Sequence, residues 1–570
     1  MAPENNGYWY AKAKNILPGD LYAFKIDNKD ERPDPASNFQ PNNVHNRSQI
    51  IDHSSFKWTD SKRKGIPLKD MIIYELHIGT FTKQGTFNAA IEKLTYLRDL
   101  GINTIEIMPI SQFPGNRNWG YDGVHPYAVQ NSYGTPDSFK ALIDKCHKLN
   151  ISVILDVVYN HLGPEGNYLH EFGPYFTNRY KTPWGDAINF DGKYSDEVRK
   201  FFIQNALFWF ENYHIDALRL DAIHGIYDFS AKPFLEQLSE EVAIYSQKKK
   251  RPFYLIAESD LNDVRAICPK KIGGYGIHAQ WNDDFHHCIH TLLTKETNGY
   301  YADFGSTEQF VKSLNQAFVY SWEYSKYRNR HHGNSSKHRP ADQFIVFSQN
   351  HDQIGNRMNG DRLIKLAGFE ACKLAAGAII FSPYIPLIFM GEEYGEDNPF
   401  LYFISHTDKD LIKSVQLGRK KEFESFQFKQ EMSDPYSEKT FFKSRLDWSK
   451  KNNIKKNKTL LNFYKKIISL RKEIPALARI DKASRSANIA KNKNVVVLYK
   501  CFKNNSTLLI MNFSKKTEQF IIDLPKGKWT KLIDSSDKEW GGQGTLTPSD
   551  VQGQINSNIR PHSFTLYRKA

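Results

Sequence analysis

From residue 71 onward the apolar positions keep two alternating rhythms. Short unbroken runs, such as Met71-Ile-Ile-Tyr-Glu-Leu-His-Ile78 and Thr104-Ile-Glu-Ile-Met-Pro-Ile110, read as buried strands. Between them apolar residues recur every three or four positions, the spacing of one helix face. Further strands are expected near 153–158, 215–220, 253–257, 279–281, 344–347 and 386–390. Helices are expected after a Thr86 cap, then near 136–149, 196–213, 233–245, 306–320, 370–380 and 460–471. Strand and helix alternate about eight times, which predicts an α/β architecture closed as a (β/α)8 TIM barrel over residues 67–478. An open, doubly wound sheet is the alternative; no Gly-x-Gly-x-x-Gly follows the first strand, which speaks against it.

The flanks differ. Residues 1–66 carry short strand-like runs among turn residues and read as a small β-sandwich-like domain. Beyond 479 the periodicity returns to two, at 495–499, 507–511 and 520–524, which predicts a C-terminal β-sandwich over 479–570. The long connections at 114–135, 164–191 and 399–458 follow strands two, three and eight. In a barrel such loops build the active-site face.

One strand breaks the apolar rule. His214-Ile-Asp-Ala-Leu-Arg-Leu-Asp-Ala-Ile-His-Gly225 carries Asp216, Arg219, Asp221 and His224 among its apolar residues. Buried ionisable groups are costly unless paired or used. Arg219 and Asp221 lie two apart and so share one side of a strand. The arginine would keep the carboxylate ionised, as a nucleophile requires. A salt bridge at a strand end is the plainer reading.

Three more strand ends are polar. Asp156 and Asn160-His161 close the third strand, Glu258 the fifth, and His351-Asp352 the seventh. Barrel chemistry gathers at C-terminal strand ends, so these groups are expected to share one mouth. Taken singly, each acid could be a structural carboxylate and each histidine a satisfied core residue. Together they fit glycoside cleavage, which needs one ionised and one protonated carboxyl. Glu258 follows apolar Leu255-Ile-Ala, so it could keep its proton; Asp352, with His351 and His161, could grip sugar hydroxyls. A divalent-metal hydrolase would also use such residues, but no His-x-His or His-Glu-x-x-His spacing occurs, and no metal or cofactor is expected.

Bulk properties narrow the classes. Lys plus Arg number 77 against 63 Asp plus Glu, but the excess lies in short runs such as 248–251 and 450–458, which read as solvated. No nucleic-acid-binding signature is visible. Five scattered cysteines without a Cys-x-x-Cys pair suit a reducing, cytoplasmic setting. The N-terminus lacks a secretory pattern, and the apolar run near 374–390 is broken by prolines, so no membrane span is expected.

The strand-end segments resemble all four recurrent regions of the alpha-amylase superfamily of glycoside hydrolases: Asp156-Val-Val-Tyr-Asn-His161, Asp216 to His224, Ala257-Glu258 and Asn350-His-Asp352. The resemblance implies a retaining enzyme with Asp221 as nucleophile, Glu258 as general acid/base and Asp352 as transition-state stabiliser. Within it, Asn118-Trp-Gly-Tyr-Asp-Gly123, Gly163-Pro-Glu-Gly-Asn-Tyr168, Gln280-Trp-Asn-Asp-Asp-Phe-His-His287 and Gly391-Glu-Glu-Tyr-Gly395 are similar to the malto-oligosyltrehalose trehalohydrolase family. That likeness implies cleavage of the α-1,4 bond beside a terminal trehalose. It also implies a maltooligosyltrehalose synthase as functional partner. Substrate contacts are then expected from Tyr121, Asp156 and His161, from Arg219, Leu220, Ala222, Ile223 and His224, and from Asp283, Asp284, Phe285, His286 and His287. The last group is His351, Gln353, Ile354, Gly355 and Asn356. For Trp281 and Phe285, core packing is an equal reading. The family's N-terminal sandwich begins well before the segment matched by Gly7 to Phe24, so that domain is expected to be incomplete or reduced. An α-glucan branching or debranching enzyme is the alternative activity, and a non-catalytic glucan-binding relative the alternative class. The decisive geometric expectation is that Asp221 and Glu258 face each other about 5–5.5 Å apart.

Overall fold

The computed structural model describes residues 1–27, 29–424, 432–490 and 494–569. Eight parallel strands form the closed barrel: β1 (Ile73–Leu76), β2 (Thr104–Ile107), β3 (Ser152–Val157), β4 (Ala217–Leu220), β5 (Tyr254–Ala257), β6 (Ala279–Trp281), β7 (Phe344–Val346) and β8 (Ile385–Phe389). Each pairs with its sequence neighbours, and β8 closes on β1. The strands are the ones the apolar runs predict, with ends that differ from the predicted bounds by at most three residues. The helix expected after Thr86 is capped as foreseen, with Ala89 N–H donating to the Thr86 hydroxyl at 3.3 Å. It is, however, two helices, Phe87–Ile91 and Leu94–Leu100. The helix expected from 370 begins at Leu363, with Gly368 at φ 84° interrupting it.

The barrel interior is layered. Its floor is a separate apolar cluster that includes Ile73, Ile154, Ala217, Ile256, Trp281 and Leu387. Above that floor the inward positions turn polar: Glu75, Glu106, Asp156 and Arg219 are all buried. Packing seals the layer from below, so the polar groups can meet a ligand only at the C-terminal mouth.

The closed end is pinned by charge. Asp216, one residue before β4, accepts from Val153 N–H at 2.8 Å and from Arg63, with His147 Nε2 at 3.2 Å. The other nitrogen of His147 meets Asp60 at 2.6 Å. Asp216 is therefore a structural carboxylate that ties the 58–66 linker to the barrel floor.

The flanking units are unequal. Among the described residues, the strands of the N-terminal region are two-residue ladders: Ala2–Pro3 with Trp9–Tyr10, Leu21–Tyr22 with Ser48–Gln49, and Phe24–Lys25 with Glu31–Arg32. The C-terminal β unit is one six-stranded sheet. Its long strand Glu518–Asp534 pairs with Asp550–Ile559 and, over its second half, with Ser563–Lys569. One face carries its own cluster around Val495, Ile510, Phe520 and Trp529. The other, with Val496, Leu509 and Phe564, merges into the barrel's outer core. Buried Lys373 joins the two by donating to the Ser535 and Trp540 carbonyls at 2.5 and 2.9 Å. No helix among the described residues is long and apolar enough to cross a membrane.

Several histidines are buried as neutral rings. Desolvation lowers His77, His125 and His278 to about 4. The unfolded chain, with histidines near about 6.5, then binds more protons than the fold in the window between. The stability these rings contribute is present above that window and lost as pH falls through it. The unfolding midpoint should drop steadily from about pH 6.5 to about pH 4; a flat midpoint across that range would contradict neutral burial.

Candidate active site

Arg219 organises the mouth. It is fully buried on β4, and its guanidinium lies 4.4 Å above the Trp281 ring. Its Nη1 donates to Asp156 at 3.0 and 2.9 Å and to Asp221 at 2.9 Å. Its Nη2 lies 3.5 Å from Glu258 Oε2, an ion-pair contact too long for a firm hydrogen bond. One guanidinium thus sits against three carboxyls from three neighbouring strands. Trp281 is the packed support beneath it; its ring is 1% exposed.

Asp221 has a donor on each oxygen: Arg219 on Oδ1, and Asn160 Nδ2 on Oδ2 at 2.7 Å. That pattern fixes the rotation of the carboxyl group. The next residue, Ala222, takes φ 37° and ψ 56°, a left-handed conformation unusual for alanine. The turn aims Ala222 N–H at Glu258 Oε2, 2.6 Å away. The strained residue therefore joins the two acids through one backbone donor. Burial pushes the Glu258 carboxyl above its ordinary range, as does the Asp221 charge, while Arg219 opposes them. With Oε2 engaged, Oε1 is the oxygen left to carry a proton. Asp352 is more open: Asn356 Nδ2 donates to it at 3.2 Å, and His351 Nε2 lies 3.4 Å away. Asp156 is raised to about 7, chiefly by burial, with Arg219 opposing.

The remaining expected contacts divide by element geometry. Tyr121 reaches the centre, donating its hydroxyl to Asp156 at 2.7 Å and stacking on His351 with ring centroids 5.2 Å apart. His224 is partly exposed at the rim, 4.0 Å from Asp260. Asp283 faces Gln353 at 3.5 Å; burial and the neighbouring Glu258 and Asp352 charges push its carboxyl well up. His287 stacks on Tyr300 at 5.0 Å. Gly355 leaves room for Trp119, whose ring atoms would stand 2.0 Å from an added Cβ.

Other expected contacts are corrected. Leu220 faces the outer core, because alternate residues of a strand point opposite ways. Phe285 packs on Phe310 and Tyr384, with centroids 5.4 and 6.0 Å apart. Asp284 accepts from Val319 and Tyr320 N–H at 2.6 and 3.1 Å and from Asn262 at 2.7 Å. His286 is held by the Ser348 carbonyl and the Tyr301 hydroxyl, and Ile223 and Ile354 are core residues. Residues 283–287 lie on the helix Asp283–Thr294, and a contiguous helical run cannot all face one ligand. His161 and His351 are engaged by neighbours within the site. Both nitrogens of His161 face carbonyl oxygens, of Asn160 and Tyr121, and its ring stacks 3.6 Å from Trp184. His351 has no exposed surface. Each supports a neighbour rather than offering a free donor.

Two roles escaped the sequence reading: that of Asn160 as a partner of Asp221, and that of Glu75 beneath His351. Glu75 carried the same signal as Arg219, an ionisable residue inside an apolar run.

Comparison with known proteins identifies the family of the chain. Residues 50–184 and 190–479 match the model of the alpha amylase catalytic domain, and 488–570 that of the alpha amylase C-terminal all-beta domain. A malto-oligosyltrehalose trehalohydrolase of Saccharolobus solfataricus is 50% identical over 473 residues, covering 83% of this chain and 81% of the relative. One from Mycobacterium tuberculosis (strain ATCC 25618 / H37Rv) is 42% identical over 479 residues, with 83% and 82% covered. A 1,4-alpha-glucan branching enzyme of Bacillus caldolyticus is 34% identical over 312 residues, covering only 49% of this chain and 46% of the relative. A 1.4 Å crystal structure of a Salmonella typhimurium protein assigned by name to the alpha amylases superposes with a TM-score of 0.87 at 37% identity, covering 97% of this chain and 91% of that one.

Replacing Arg219 by Met should strand the buried Asp156 and the part-buried Asp221 without their cation and destabilise the protein by about 3–5 kcal/mol. The denaturant midpoint reads this; a midpoint equal to wild type would show that Arg219 does not hold the layer together.

Proposed function

The chain belongs to the malto-oligosyltrehalose trehalohydrolase family of alpha-amylase-type glycoside hydrolases, and from that premise we propose that it cleaves the α-1,4 bond next to the terminal trehalose of maltooligosyltrehalose. The observation that carries the mechanism is the shared guanidinium: Arg219 contacts Asp221 at 2.9 Å and Glu258 at 3.5 Å. Its firm bond goes to the carboxyl that must stay ionised. Its loose contact goes to the one that must hold a proton.

Asp221 attacks the anomeric carbon of the glucosyl unit on the non-trehalose side. As that bond forms, the bond from the carbon to the trehalose O4 breaks, and Glu258 gives its proton to the departing oxygen. Trehalose leaves, and the maltooligosyl group remains on Asp221 as an ester. Glu258, now a carboxylate, takes a proton from water, whose oxygen attacks the same carbon and frees Asp221. Two inversions retain the α configuration. Asp352 is the remaining carboxylate and would bear on the charge that develops at the ring. Among the other residues that reach the mouth, Tyr121, His224, Asp283, Gln353 and Asn356 are the ones proposed to meet substrate.

A synthase that converts the reducing end of a maltooligosaccharide into a trehalose cap would supply this substrate. The five unpaired cysteines favour a reducing compartment.

Incubation with maltooligosyltrehalose should release free trehalose, and plain amylose should give no branched product; branching of amylose would replace this reading with the second one. Asp221→Ala and Glu258→Gln should each lower kcat at least 10²-fold, on the order of a lost nucleophile or acid, with the fold kept. Because the Glu258 carboxyl is raised, the alkaline fall in kcat/KM should lie above the ordinary carboxylate range. Near-wild-type turnover in either variant would remove that residue from its role.

A further inference from the structure

Two acids sit side by side inside the barrel. Glu75 on β1 and Glu106 on β2 are register partners, and each is 1% exposed. Like charges opposite one another in a ladder repel, and in a closed interior only one of the two can ionise at low cost. The hydrogen bonds say which. Glu75 accepts on both oxygens, from His351 Nδ1 at 2.5 Å and from His351 N–H at 3.1 Å. Glu106 has no hydrogen-bond partner on either oxygen among the described residues. Burial, then the charges of Glu75 and Asp156, push its carboxyl well up. The charge belongs to Glu75 and the proton to Glu106.

The same accounting fixes His351. Its Nδ1 gives a proton to Glu75. Its Nε2 lies 2.7 Å from the Tyr121 hydroxyl, and that hydroxyl donates to Asp156 at 2.7 Å. A hydroxyl has one proton. With Asp156 ionised beside Arg219, Tyr121 gives its proton to that carboxylate and can only accept from Nε2, so both ring nitrogens of His351 donate. Glu75, Asp352, Tyr121, Asp156, Glu106, Arg219 and His77 are the titratable or charged groups around this ring, with Trp119 and Trp281 against it. Burial lowers its pKa, but the Asp352 and Glu75 carboxylates raise it to about 9.

We propose that Glu75 is a positioning residue for the glycosidic reaction: its carboxylate holds His351 as an imidazolium, which sets Tyr121 and Asp352 at the mouth, with Glu106 as its neutral neighbour. The proposal rests on the hydrolase reading for its kinetic consequence but not for its proton count. Nitrogen NMR of ring-labelled histidines tests the count without substrate. In the unaltered protein the His351 ring should carry both protons near neutral pH. In Glu75→Gln it should lose one, while Glu106→Gln should leave it doubly protonated.

In kinetics, Glu75→Gln should lower kcat by up to about 100-fold, with a smaller change in KM. Part of that loss should return as pH is lowered and His351 regains its proton. Glu106→Gln, which mimics a neutral acid, should stay near wild type. A singly protonated His351 ring in the unaltered protein overturns the proposal, whether or not either variant folds. So do equal losses in the two variants, or a Glu75→Gln loss unmoved by pH. Absence of trehalose release by the unaltered protein would instead strike the hydrolase reading and leave the ring's protonation as measured.

Discussion

The interaction everything else accommodates is the buried Arg219 guanidinium. An arginine cannot be taken out of water without anions on its donors, and this one has Asp156, Asp221 and Glu258 against it. None of those three could stay close to the others without it. Trp281 floors the group and keeps water from reaching it from below. The charges of the mouth are therefore mutually dependent, and their arrangement is set by where one strand places one side chain.

Around that centre the barrel separates pinning from chemistry. At the closed end, Asp216 is saturated by Arg63, His147 and a backbone donor, and its charge has no work left to do. In the middle, apolar side chains fill the interior. At the open end, the carboxyls are left partly unmet: Glu258 and Asp221 keep some exposure, and Asp352 more. The same residue type is fully paired and buried at one end of β4 and partly exposed at the other, where the proposed reaction needs it.

The strain at Ala222 belongs to the same design. A left-handed alanine costs conformational energy of order 1–3 kcal/mol and persists only where its surroundings over-determine it. Here its N–H holds Glu258, and its chain neighbour is Asp221, the proposed nucleophile. A relaxed turn would release one acid from the other.

The eight-fold rhythm of apolar runs was enough to specify the barrel, since strand and helix periods differ and each βα unit is local. The acids at the ends of β3, β4, β5 and β7 were equally legible, because an ionisable residue closing an apolar run needs a reason. Which neighbours of those acids would touch a ligand was not legible. Motif contiguity suggested whole segments, but a strand turns Leu220 away from Arg219, and a helix spreads Asp284 and Phe285 away from Asp283. The partner of His351 was also hidden. Glu75 and His351 are far apart in the chain, and only closure of β8 onto β1 brings the first strand beneath the residues that follow the seventh. Local periodicity and residue chemistry reside in the sequence; the protonation of a buried group depends on neighbours that only chain closure supplies.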